Sequence, residues 1–141
     1  MNEVAVLGVG MHRFGMWADI SNATMGREAG MAALRDAGMS FRDIQAAYTG
    51  HIFAQVMTGT RVMKEFGLTG IPVQRIENAS ATGSAAFREA CLAVEAGHYD
   101  AVMVLGFDKM TEMIQNNTAG TAPENMEDAI LPAAFFALWA T

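Results

Sequence analysis

The sequence predicts an α/β fold built on a parallel sheet, and three observations predict it. Short apolar runs ending at glycine alternate with longer, alanine-rich stretches of helical period. Their order is β-α-β-α-β-α-β, and strands that alternate with helices pair in parallel. The runs at the two ends of the pattern, residues 4–7 and 101–105, are apolar without a break, which suits strands covered on both faces.

Each element has its own signals. Val4, Ala5, Val6 and Leu7 form the first predicted strand, closed by Gly8 and Gly10. Residues 11–22 read as a loop. Ser21 or Asn22 can cap a helix carrying Met25, Ala29, Ala32 and Ala33 on one side, and Gly38 is placed to end it. Ser40 and Asp43 have the spacing of a short capping box. Residues 46–49 form a second strand, 58–66 a helix closed by Gly67, and 73–77 a third strand. A long helix over about 81–96 ends at Gly97, and the strand 101–105 ends at Gly106.

After Asp108 the pattern stops, so the chain divides into residues 1–108 and 109–141. Residues 109–128 have no clear period. Pro132 then opens an apolar helix over 133–140 that contains Phe135, Phe136 and Trp139. Such a helix needs a cover: its own sheet, a continuation of the chain, or a partner.

Composition excludes several functions. With 141 residues the chain is one domain or a piece of a larger one. Its net charge is −6 and it has no basic stripe, so it is expected to bind neither nucleic acid nor anionic membrane. One cysteine and three histidines give no metal-ligand spacing and no internal disulfide. No basic leader and no apolar span of ~20 residues is evident, so a cytoplasmic protein is expected. Only 17% of residues are charged, against roughly 25% in an ordinary domain, which fits a chain that buries surface against another subunit.

Two stretches invite a ligand. Gly8-Val9-Gly10 follows a predicted strand, but a dinucleotide fingerprint needs a third glycine where Arg13 stands. The second is Glu77-Asn78-Ala79-Ser80-Ala81-Thr82-Gly83-Ser84, which joins a strand to the long helix. Every residue after Asn78 is small, so a ligand could approach the backbone closely. A side chain there feels the positive end of the helix dipole, which suits a nucleophile or a developing oxyanion. Plain N-capping by Ser80 is the alternative and, from the residues alone, the stronger one. Cys91 lies eleven residues on, ~16 Å along the axis, and reads as a buried structural residue. Among the histidines only His51, after Gly50 at a strand end, has the position of a pocket residue. Methionines such as Met57, Met63, Met103, Met110 and Met113 could line an adaptable pocket, although core filling is the commoner use.

The stretch from Glu77 to Ala90 closely resembles the nucleophile segment of the thiolase superfamily. The nearest branch is the sterol-carrier/lipid-transfer type, which shows Cys-Ala-Thr-Gly-Ser where this chain has Ser80-Ala81-Thr82-Gly83-Ser84. The opening Val-Ala-Val-Leu-Gly-Val-Gly with Arg13-Phe14-Gly15, the run from Ala101 to Met110, and Pro132-Ala-Ala-Phe-Phe-Ala-Leu resemble further parts of that family. The resemblance implies a thiolase-like layered core followed by the start of a loop domain. It also implies acyl transfer on coenzyme A thioesters without a covalently bound cofactor, and it puts Ser80 at the position of the nucleophilic cysteine. The family's activating histidine and second cysteine come from a later half, and His12, His51 and His98 match neither motif. The segment alone is therefore expected to be inactive. A non-catalytic subunit binding acyl-CoA or a partner protein is the alternative. Whether Ser80 is natural or an engineered replacement stays open. The family also implies a homo-oligomer, formed near the strand over 73–77, and a possible small zinc-ribbon/OB-fold partner.

Overall fold

The computed structural model describes residues 3–109. The predicted helix over 133–140, with Phe135, Phe136 and Trp139, lies outside the described residues, as do Met110 and Met113.

A three-stranded parallel sheet forms the centre. Its strands are β1 (Ala46–Gly50), β2 (Val73–Ile76) and β3 (Val102–Gly106), in the order β2-β1-β3. Ala47 pairs with Val73 on one side and with Met103 on the other. All five residues of β1 are buried, because helices cover both faces.

One face is covered by α1 (Asn22–Ala37) and α2 (Thr58–Lys64). Ser21 caps α1, its hydroxyl accepting from the Thr24 amide at 3.1 Å. Gly38 ends the helix at φ +66°, a left-handed conformation that favours glycine. The two glycines inside α1 cost helix stability, yet each has a packing reason. A Cβ on Gly26 would strike Val62, and one on Gly30 would strike Phe66. Small residues thus let α1 and α2 approach closely over a core of Leu34, Ala47, Val62, Met63, Met103 and Leu105. Beyond α1, Asp43 closes the expected box by accepting from the Ser40 amide and hydroxyl, both at 2.8 Å. The backbone bond, then the hydroxyl bond, holds the Asp43 carboxyl below its usual range.

The other face is covered by α3 (Thr82–Glu95), whose Ala86, Ala90 and Ala93 recur at helical spacing against Ala46 and Tyr48. Helix α2 is shorter than predicted. The amides of Phe66 and Gly67 donate to Met63 and Lys64, three residues back, so its last turn tightens out of α-helical pairing.

The predicted strand over residues 4–7 does not form. That stretch makes no ladder with the sheet among the described residues. It leads onto α1 instead, where Gly8 packs on the backbone of Ala33 and Ala37 and Gly10 on that of Ala29 and Ala33. The Val9 amide donates to Asp36 at 2.9 Å. A cleft of about 530 Å³ separates the stretch from the outer edge of β3, so no backbone partner is within reach. The apolar run has the composition of a strand, but a strand needs a neighbour as well as a sequence.

Removing a core side chain should cost more than removing an exposed one of similar size. Met63→Ala, at a position 3% exposed, is expected to lower unfolding free energy by about 2–5 kcal/mol. Leu68→Ala, at 88% exposed, should stay within about 0.5 kcal/mol. Urea denaturation of both variants checks the core; equal losses would contradict it.

Candidate functional site

The small-residue turn sits where β2 ends and α3 begins, at the carboxyl edge of the sheet. Open α/β sheets bind ligands outside this edge. Helix α3 starts at Thr82, so Ser80 stands just before it, in a 3-10 turn over Ala79–Ala81. Three local bonds shape the turn. The Asn78 amide donates to Thr82 Oγ1 at 2.8 Å, the Ala79 amide to Glu77 Oε1 at 2.6 Å, and the Ala81 amide to the Asn78 carbonyl at 2.9 Å.

Ala79 has φ +44°, a conformation that costs a residue with a Cβ about 1–2 kcal/mol. The strain sits immediately before Ser80 and turns that residue outward. Ser80 is exposed. Its hydroxyl makes no hydrogen bond among the described residues, and α3 has no side-chain cap. The capping role that the sequence favoured for Ser80 is therefore not the one it plays. Thr82, which the sequence showed only as part of the small-residue motif, accepts from the Asn78 amide and holds the turn instead. Among the described residues the Ser80 hydroxyl has no hydrogen-bond partner, and it stands beside a helix N-terminus.

Below the turn lies the end of β1. Gly50 packs on Thr82 so closely that a Cβ there would come within 2.9 Å of Thr82 Cγ2. His51 follows, 1% exposed, with its ring stacked on Phe107 at 5.1 Å between centroids. Its Nδ1 is buried with no hydrogen-bond partner among the described residues. Burial, and then the positive charge of Arg75, lower the affinity of this imidazole for a proton; Asp108 and the Ala54 backbone oppose that shift. Asp108 accepts from the amides of Ile52, Phe53 and Ala54.

The other residues singled out from sequence lie apart from this turn. Cys91 is half-buried rather than buried, because α3 turns its face toward the cleft beside residues 3–10. His12 lies 3.4 Å from Glu28 and edge-on to Trp17, and His98 is exposed. Met63 and Met103 fill the core, and Met57 is exposed. No cluster of three or more metal-ligating side chains occurs among the described residues. No helix among them is long and apolar enough to cross a membrane.

The strained turn and the buried imidazole can each be tested. Glycine adopts φ +44° without strain, whereas a β-branched residue resists it. Ala79→Val should therefore cost at least about 1 kcal/mol and Ala79→Gly should be neutral or stabilising; equal losses in thermal melts would deny the strained turn. His51 has a proton affinity depressed by folding, so below about pH 6.5 the unfolded chain binds more protons and stability falls with acid. The urea midpoint should drop as pH decreases from about 7.5 to about 5.5, and His51→Phe should flatten that drop. An unchanged slope would mean that His51 is not buried as described.

Comparison with known proteins places the chain. The model of the thiolase N-terminal domain matches residues 4–135. An acetyl-CoA acetyltransferase of Methanothermobacter thermautotrophicus is 36% identical over 146 residues, covering 99% of this chain and 38% of the relative. Sterol carrier protein 2 of Gallus gallus is 36% identical over 113 residues, covering 78% of this chain and 21% of the relative. The solved Ltp2-ChsH2(DUF35) aldolase superposes with a TM-score of 0.66 at 20% identity, covering 89% of this chain and 31% of that one, a likeness of fold. The chain thus spans well under half the length of these relatives. With the match running through both the sheet and the Ser80 turn, the chain belongs to the thiolase family as an N-terminal domain.

Proposed function

We propose that this chain is the nucleophile-bearing part of a thiolase-type acyl-CoA acyltransferase. The reaction is Claisen condensation or thiolytic cleavage of a 3-oxoacyl-CoA, with Ser80 at the acyl-accepting position. The observation that carries the reading is the free hydroxyl of Ser80, turned out by a strained Ala79 at the tip of α3. The positive end of the α3 dipole favours negative charge developing on an acyl oxygen beside it. The names of the curated relatives support an acyltransferase, and coenzyme A thioester is the substrate proposed, with no prosthetic group.

Serine is the difficulty that any mechanism must meet. A hydroxyl is far less acidic than a thiol, and a helix tip alone does not ionise it near neutral pH. No imidazole among the described residues is bonded to Ser80, so the general base comes from the remaining length that relatives possess. A non-catalytic subunit that holds acyl-CoA or a partner is the second reading, and the missing thiol favours it. A homo-oligomer through the edge of β2 belongs to the proposal, since that edge has no neighbouring strand among the described residues and such an edge invites one. So does a small second subunit, as the name of the Ltp2-ChsH2(DUF35) complex suggests for that protein. Residues 109–141 are assigned to the start of the loop region.

The test is chemical. In Ser80→Cys combined with Cys91→Ala, the single introduced thiol should be alkylated with a pH profile below the ordinary thiol value of about 8.5. In a version carrying the C-terminal part found in relatives, Ser80→Cys should raise acyl transfer at least about a hundredfold. Equal rates from serine and cysteine would leave only the binding-subunit reading.

A further inference from the structure

Two opposite charges hold the end of β1. Asp108 Oδ2 accepts from the Ile52 amide at 2.7 Å, and Oδ1 accepts from Phe53 and Ala54 at 3.0 and 3.1 Å. Arg75 Nη2 donates to the carbonyls of His51 and Ile52, each at 3.4 Å. Amides and carbonyls of one short stretch are thus met by a carboxylate from the end of β3 and a guanidinium from β2. Such charge-assisted bonds are about twice as strong as neutral ones. The stretch is continuous with Gly50, whose carbonyl accepts from the Phe107 amide at 3.0 Å and whose Cα abuts Thr82. Thr82 accepts from the Asn78 amide at 2.8 Å. Direct contacts therefore run from Asp108 through residues 50–54 and Thr82 to the turn that carries Ser80.

We propose that Asp108, assisted by Arg75, is a positioning residue for Ser80. It fixes the end of β1, and the end of β1 is the wall against which the Ser80 turn is set. The role rests on the reading of Ser80 as the acyl-accepting position. A turn strained at Ala79 needs support from outside itself, and small displacements of an attacking atom are costly in rate. Asp108 does this through backbone amides and never touches the acyl group. Its two oxygens are taken up by three N–H donors, which hold the carboxylate in place.

Amide hydrogen exchange on the 141-residue chain tests the assignment. In Asp108→Ala, the amides of residues 52–54 lose their acceptor and must exchange faster. The proposal expects the amides of Asn78 and Ala81 to speed up as well, by about tenfold or more, while the middle of α1 is unaffected. Asp108→Asn keeps one acceptor oxygen and should lie between, and Arg75→Met should reproduce the pattern. Acceleration confined to residues 52–54 overturns the proposal. Should Asp108→Ala loosen every element, the same comparison in Asp108→Asn decides. A second readout separates this idea from the reading beneath it. In Ser80→Cys with Cys91→Ala, adding Asp108→Asn should shift the pH profile of alkylation at position 80, which a merely local structural role would not do. An ordinary thiol profile in the parent variant would overturn Ser80 as the nucleophile position, and the exchange experiment would still judge the coupling.

Discussion

The complete burial of β1 is the constraint on which the described structure depends. A strand covered on both faces has no solvent to satisfy its polar groups, so every one of them must find a protein partner. Its ladder bonds go to β2 and β3. Thr49 gives its hydroxyl to the Gln74 carbonyl at 3.1 Å, which satisfies the buried side-chain donor in the middle of the sheet. The strand consists largely of small residues, and that smallness lets α2 and α3 come close from opposite sides. Gly59 of α2 lies against Thr49, and Thr82 of α3 against Gly50.

Where β1 leaves the sheet, the same demand continues without a ladder to meet it. The amides and carbonyls of residues 51–54 would be orphans at a part-buried strand end. Asp108 and Arg75 supply what a neighbouring strand would otherwise supply. His51 is buried in the same place, and its Nδ1 has no hydrogen-bond partner among the described residues. Stability in acid and the geometry of the Ser80 turn are for this reason properties of one small volume. The turn combines three local bonds with the strain at Ala79, and Thr82 sets it against Gly50.

Family membership and local geometry contribute different things to the functional reading. The match to the thiolase N-terminal domain tells which family the chain belongs to. The geometry tells where that family's nucleophile segment lies in this chain: at a helix end, with an exposed hydroxyl that makes no hydrogen bond among the described residues. On the proposed reading, a hydroxyl in this place raises the cost of the first step, because an alkoxide is much harder to form than a thiolate.

Local signals sufficed for most of the architecture. Ser21 and Gly38 mark the ends of α1, the Ser40–Asp43 box is visible as a spacing, and the unbroken apolar run at Val102–Gly106 announces a strand. These features rest on contacts within a few residues, which a sequence displays directly. The stretch Glu77 to Ser84 was legible for the same reason, its small residues standing between a strand and a helix. What only the tertiary structure decided involves partners distant along the chain. Residues 4–7 have the composition of a strand yet join no sheet, because pairing depends on whether another edge comes within reach. Gly26 and Gly30 look like helix-weakening residues until Val62 and Phe66 are seen against them. Asp108 reads as the end of a pattern, and its bond to Ile52 spans 56 residues. Ser80 looks like a cap, and only the path of the backbone through Ala79 shows its hydroxyl to be free. A sequence records which groups need partners; the fold alone determines which partners arrive.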